Sequence, residues 1–93
     1  MSEERIMTLH PQGKKGVNIL KSKYDLIAQY ILDTLKKEKQ ISYEALSDRA
    51  VKDLGPTFDG KVVWYIVSVK LDLEARKTIK RVPKTSPHEL VLC

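Results

Sequence analysis

Apolar side chains recur at helical spacing in three stretches of the chain. In the first stretch they fall at i, i+3, i+4, i+7 and i+11: Tyr24, Ile27, Ala28, Ile31 and Leu35. This spacing predicts an amphipathic helix that is capped by Ser22 and ends among the lysines of residues 36–39, which suit a helix C-terminus.

A second helix is predicted from the N-cap Ser42 to about Leu54, because the Gly-Pro pair at residues 55–56 ends a helix. Its inward side is expected to be Ala45, Leu46, Ala50 and Leu54. Between the first two helices only Ile41 is available for a very short strand.

The third predicted helix has Asp59 as its N-cap and runs to about Arg76. Phe58 and Val63 have the spacing of a hydrophobic staple across its start. Its inward side is expected to be Val62, Ile66, Val69 and Leu73. Lys61, Ser68 and Asp72 are expected on the opposite side, flanked by Tyr65.

The two ends of the chain lack helical periodicity. Residues 1–20 contain Pro11, Gly13 and Gly16, which predict an irregular basic arm with an extended piece at Val17–Leu20. Residues 21–93 are expected to form the folded domain. Two extended runs around a Pro-Lys-Thr-Ser-Pro loop predict a C-terminal β-hairpin with strands Ile79–Val82 and His88–Leu92.

This element order is that of a winged helix-turn-helix. The stretch VSVKLDLEARKTIKRV, residues 67–82, resembles the end of the recognition helix and the start of the wing in MarR-type and ArsR-type regulators. The stretches HPQGKKGVNI, KYD, WY, VKLDLEAR and RVPKTSP resemble a small bacterial winged-helix family of uncharacterised function. The resemblance implies an α+β winged helix-turn-helix fold with three helices and a C-terminal β-hairpin wing. At the turn into the wing the regulators usually have glycine, whereas this chain has Lys77 and Thr78.

Composition and charge favour an anionic partner. The 93 residues are 42% apolar, which suffices for one core, and carry a net charge of +5. Residues 24–60 hold an excess of acidic groups, whereas both ends hold an excess of basic groups. The single cysteine, Cys93, cannot form an internal disulfide, which suits a reducing compartment. No signal peptide or apolar membrane span is visible. We therefore expect a cytoplasmic protein and no membrane association.

We therefore expect a transcription regulator that binds double-stranded DNA. The third helix would enter the major groove with Lys61, Tyr65 and Ser68, although it offers no Arg, Asn or Gln as a bidentate base reader. The hairpin is expected to contact phosphate through Lys80, Arg81, Lys84, Thr85, Ser86 and His88. Lys14 and Lys15, between two glycines, belong either to a solvated arm or to an arm lying on the DNA backbone.

A second apolar stripe supports an alternative hypothesis. Trp64, Val67 and Leu71 lie about 140–200° around the third helix from Val62 at 100° per residue. Leu26 and Tyr30 similarly lie off the main stripe of the first helix. These residues either close the core beneath the arm and the hairpin or form an interface with a second copy or another protein. The interface hypothesis predicts that Trp64 is exposed in the monomer.

The sequence predicts no catalytic, metal or cofactor site. Gly13-Lys14-Lys15-Gly16 lacks the spacing of a P-loop, and Pro11 just before it argues against the helix that a KH-type GxxG loop would need. His10 and His88 have no Cys or Asp nearby at metal-ligand spacing, and no HExxH motif or nucleophile elbow is present.

Overall fold

The computed structural model describes residues 4–86 and 88–93 as an α+β domain. Its helices are α1 (Lys21–Glu38), α2 (Tyr43–Leu54) and α3 (Val62–Ala75). Its strands are β1 (Arg5–Met7), β2 (Asn18–Leu20), β3 (Gln40–Ser42), β4 (Ile79–Val82) and β5 (Glu89–Leu92). No helix within these residues is long and apolar enough to cross a membrane.

The first two helices bury the stripes that the sequence predicts. All five apolar stripe residues of α1, from Tyr24 to Leu35, are buried. The helix begins earlier than predicted, at Lys21, and Ser22 is not its cap because β2 leads directly into it. In α2 the Ser42 hydroxyl accepts a hydrogen bond from the Ala45 N–H at 3.1 Å, as expected of an N-cap. Ala45 itself is exposed rather than inward.

Helix α3 begins later than the sequence predicts. Its N-cap is Lys61, not Asp59, and the predicted staple from Phe58 to Val63 is therefore wrong. Phe58 instead packs edge-on against Tyr65, with ring centroids 5.0 Å apart. The core-facing residues are buried as predicted: Val62, Ile66, Val69 and Leu73.

Three short antiparallel strands close the core in the order β3-β5-β4. Ile41 of β3 pairs with Leu90 of β5, and Ile79 of β4 pairs with Leu92. Ile41, Leu90 and Ile79 are all buried against the helices. The predicted bounds of β4 are confirmed, whereas β5 begins one residue later than predicted, at Glu89.

The N-terminal segment is a β-hairpin rather than the predicted irregular arm. Strands β1 and β2 pair antiparallel with Ile6 opposite Ile19, and Ile19 is buried in the core. The Thr8 N–H donates to the Val17 carbonyl, and the Thr8 hydroxyl accepts from the Val17 N–H. Gly16 is required here, because a Cβ on it would lie 1.8 Å from the Thr8 carbonyl oxygen.

The turn from α3 into β4 is a Schellman motif built without glycine. The Thr78 N–H donates to the Leu73 carbonyl at 2.9 Å and the Lys77 N–H donates to the Glu74 carbonyl at 3.0 Å. Lys77 takes the left-handed position with φ 62°. A residue with a Cβ there costs on the order of 1 kcal/mol relative to glycine.

Candidate functional site

The solvent side of α3 is apolar. Its core line runs through Val62, Ile66, Val69 and Leu73, so the side chains on the opposite side of the helix are Trp64, Val67 and Leu71. We call these three residues the α3 stripe. Trp64 is 46% exposed and the neighbouring Val63 is 47% exposed, while Val67 and Leu71 are half-buried. The interpretation in which Trp64 closes the core is therefore wrong.

The charged residues of α3 are bonded to one another or to neighbouring segments. The side chains of Lys70 and Glu74 are 4% and 8% exposed, and the Lys70 Nζ lies 2.8 Å from the Glu74 carboxylate. Arg81 on β4 donates to the other Glu74 oxygen at 2.7 Å. Burial opposes ionisation of Glu74, but the hydrogen bonds from Lys70 and Arg81 prevail and hold its pKa below the usual value. Burial lowers the pKa of Lys70 despite its bond to Glu74.

Asp72 lies inside the molecule, not on the exposed polar side that the sequence predicts. It is fully buried and accepts hydrogen bonds from the Tyr24 hydroxyl, from the Leu9 N–H at 2.8 Å and from the Arg76 guanidinium at 2.8 Å. Burial and the bond to Asp72 raise the pKa of Tyr24. Asp72 therefore ties the β1–β2 hairpin and α1 to α3.

The predicted major-groove residues do not form one open polar surface. Lys61 is exposed at the N-cap of α3. Tyr65 is half-buried against Phe58 and lies beneath the Lys23 ammonium, 5.4 Å from its ring centroid. Ser68 lines a narrow cleft that the β1–β2 hairpin forms against α3 with Thr8, Lys15 and Gly16. The hairpin thus covers one flank of the helix.

The β4–β5 hairpin uses several of its predicted phosphate contacts internally. Arg81 is engaged by Glu74, and the Thr85 hydroxyl donates to the Val82 carbonyl and accepts from the Glu89 N–H. His88 stacks on Tyr43 with ring centroids 5.3 Å apart, and its Nε2 is buried without a described partner. Of the predicted contact residues, Lys80, Lys84 and Ser86 are exposed, and Arg81 is exposed as well but is bonded to Glu74.

The loop between β1 and β2 brings one cation, Lys15, beside α3. Gly13, at φ 74°, turns the loop and its N–H donates to the His10 carbonyl. Lys14 and Lys15 are exposed, and Lys15 shares the cleft with Ser68 and Leu71. The sequence does not predict that Lys15 lies close to α3, because the β1–β2 hairpin that brings it there has no clear periodic signal.

The two interface residues predicted on α1 have different surroundings. Leu26 is 47% exposed and lines a shallow groove with Leu54 and Phe58. Tyr30 is half-buried and its hydroxyl donates to Asp53 on α2 at 2.7 Å. Burial and this hydrogen bond raise the pKa of Tyr30 to about 12.

One family model matches the chain. It is described as "Family of unknown function (DUF6958)" and covers residues 5–90, which include every helix and strand except the last two residues of β5. No curated protein and no solved structure gives a match. Within the described residues, no three His, Cys, Asp or Glu side chains lie close enough together to hold a metal ion.

Proposed function

This chain belongs to the DUF6958 family of unknown function, and we propose that it is a winged-helix domain that binds a partner protein through the α3 stripe. The winged-helix assignment is supported by the order of elements from α1 to β5. It is also supported by the pairing of the interhelical strand β3 with the second strand of the C-terminal hairpin, β5.

The observation that carries this proposal is the exposed apolar surface of α3. A helix that is apolar on its solvent side as well as on its core side normally has a partner on both. Trp64 is the type of residue that dominates binding energy at protein interfaces, because it buries a large rigid surface. Its exposure is the result that the interface hypothesis predicts.

The same surface is poorly suited to base recognition. The acidic and basic groups of α3 are already bonded to one another or to Tyr24, Arg76 and Arg81. Inserting the α3 stripe into a major groove would desolvate base edges without offering them hydrogen bonds. A protein surface with its own apolar residues has no polar base edges to desolvate, so it can cover the α3 stripe without that cost.

Fluorescence of Trp64, the only tryptophan, tests the proposal directly. We expect red-shifted emission and strong acrylamide quenching in dilute monomer. Trp64→Gln should lower the unfolding free energy by no more than about 1 kcal/mol, since the ring is half exposed and its ring contact is with the adjacent Tyr65. Blue, unquenched emission in a species shown to be monomeric by sedimentation would overturn the proposal.

A second candidate function is binding of duplex DNA through its backbone, which would be compatible with a role in transcription regulation. The observation that favours it is four exposed lysines, Lys14, Lys15, Lys80 and Lys84, none of which forms an ion pair with another described residue. Four phosphate contacts would give a slope of log affinity against log salt of about −3.6. Such contacts would position the protein without specifying a sequence.

Anisotropy of a labelled duplex, measured at about 50 to 200 mM salt, separates this candidate from the first. The double variant Lys80→Glu with Lys84→Glu should abolish binding. Lys36→Glu with Lys52→Glu, which changes the net charge equally at exposed sites on α1 and α2, is the matched control. Absence of binding by the wild type at the lowest salt rules out the DNA function.

A further inference from the structure

The surroundings of the α3 stripe carry positive charge. Lys61 is the N-cap of α3, Lys77 lies two residues beyond the last residue of α3, Ala75, and Lys15 lines the cleft under the β1–β2 hairpin together with Leu71. All three are exposed, and none pairs with a carboxylate among residues 4–86 and 88–93. We call Lys15, Lys61 and Lys77 the basic rim.

The carboxylates near this rim do not neutralise it. Asp72 is fully buried, and Glu74 is bonded to both Lys70 and Arg81. Asp59, which precedes α3, lies 3.8 Å from the Lys23 ammonium. An incoming surface therefore meets an apolar centre bordered by cations that form no ion pair with a described carboxylate.

This charge arrangement disfavours a second copy of the chain as the occupant. If two α3 helices packed antiparallel about a two-fold axis, Lys61 of each copy would approach Lys77 of the other. If they packed parallel, Lys61 would approach Lys61. Either geometry brings like charges together around the contact, which costs affinity at the rim of an interface.

From this complementarity we propose that the partner presents an amphipathic helix with an apolar stripe flanked by acidic residues. The proposal rests on the protein-binding function assigned to the α3 stripe above. Helix α3 has 14 residues and is therefore about 21 Å long, enough to accommodate about four helical turns of a partner. Trp64 and Leu71 would bury apolar side chains of the partner, and the basic rim would attract its carboxylates.

Designed peptides test the chemistry of the partner. The probe is a labelled peptide of about 15 residues with leucines at i, i+3, i+4 and i+7 on one face and glutamates and alanines elsewhere. Its twin has lysines in place of the glutamates, and a third peptide has the acidic composition in an order that destroys the leucine face. We expect binding of the acidic amphipathic peptide only, weakened at high salt.

Charge-reversal variants locate the contact. Lys15→Glu and Lys77→Glu should each weaken binding of the acidic peptide by about three- to tenfold, as expected for loss of an attraction and gain of a repulsion at an exposed rim. Lys52→Glu, at an exposed position on α2, is the matched control and should bind like wild type. Trp64→Gln should abolish binding, whereas Val51→Gln, at an exposed apolar position on α2, should not.

The outcomes distinguish this inference from the function on which it rests. Equal binding of the acidic and basic amphipathic peptides, with loss of both in Trp64→Gln, would overturn the acidic partner and keep the α3 stripe as a binding surface. Concentration-dependent dimerisation that Trp64→Gln abolishes would likewise replace the acidic partner with a second copy. Equal binding of the scrambled acidic peptide would show attraction by net charge alone and overturn the inference. Failure of every peptide to bind, with no dimer formed, would contradict both the inference and the protein-binding function.

Discussion

At the scale of single residues, Asp72 contributes most to the arrangement of the site. Asparagine has the same shape but no charge. Its amide NH₂ would face either the oxygen position to which both Tyr24 and Arg76 donate or the position to which the Leu9 N–H donates. We expect Asp72→Asn to lower the unfolding free energy by about 2–4 kcal/mol, because the site is fully buried. Urea unfolding measures this change.

The chain contains a matched control for this substitution. Asp53 also accepts a hydrogen bond from a tyrosine, Tyr30, but at an exposed site. Asp53→Asn should therefore cost less than about 1 kcal/mol. Equal losses in the two variants would contradict a special role for Asp72.

The role of Asp72 could not be predicted from the sequence. Its partners Tyr24 and Leu9 are 48 and 63 residues away, so no local pattern links them. Helical periodicity correctly places Asp72 off the core line of α3, but it cannot show that the N-terminal hairpin covers that position. Periodicity likewise places Trp64 opposite the core line of α3, but it cannot show that this side chain stays 46% exposed in the folded chain.

At the scale of secondary-structure elements, sequence periodicity predicts the long elements well. The three helices and β4 are found where apolar spacing, the Ser42 cap and the Gly-Pro pair predict them. The misses are β1 and its pairing with β2: an extended piece is predicted at Val17–Leu20, where β2 lies, but strands of three residues are too short to show alternation. They are stabilised by the Thr8 and Val17 pairing and by the close approach of Gly16, which are contacts between segments.

The turn between α3 and β4 offers a test of a single element. Lys77→Gly should raise the unfolding free energy by about 0.5–1 kcal/mol, because glycine takes a left-handed conformation without a Cβ penalty and loses part of that gain to chain entropy. Lys77→Ala removes the charge but keeps the Cβ, and we expect no gain from it. The proposed turn strain is wrong if alanine stabilises the protein as much as glycine does in thermal or urea unfolding.

At the scale of the whole molecule, a polar cluster joins α2, α3 and the β4–β5 hairpin. His88 stacks on Tyr43 at the start of α2, and the Lys70 ammonium lies 5.3 Å from the centroid of the same ring. Glu74 connects Lys70 to Arg81 on β4. The hairpin is thus fastened to the helices by ionisable groups as well as by Leu90 and Ile79, so its attachment should depend on pH.

Two groups of this cluster, His88 and Glu74, both make the folded state less stable as the pH falls. Burial, followed by the charges of Lys70 and Arg81, lowers the pKa of His88 below its usual value of 6.5. The unfolded chain therefore binds more protons than the folded one as the pH falls below 6.5, and stability decreases over that range. The lowered pKa of Glu74 adds a second loss as the pH falls below 4.5, its value in the unfolded chain.

The variant His88→Phe separates the two contributions, because phenylalanine keeps the stacking on Tyr43 and removes the titrating imidazole. Urea unfolding from neutral pH down to about pH 5 should show a loss of stability in wild type and a flatter profile in His88→Phe, while both decline further below about pH 4.5 through Glu74. His10→Gln, which removes the other histidine from the β1–β2 loop, should keep the wild-type profile. A wild-type slope retained in His88→Phe would show that the attachment of the hairpin does not depend on a neutral His88.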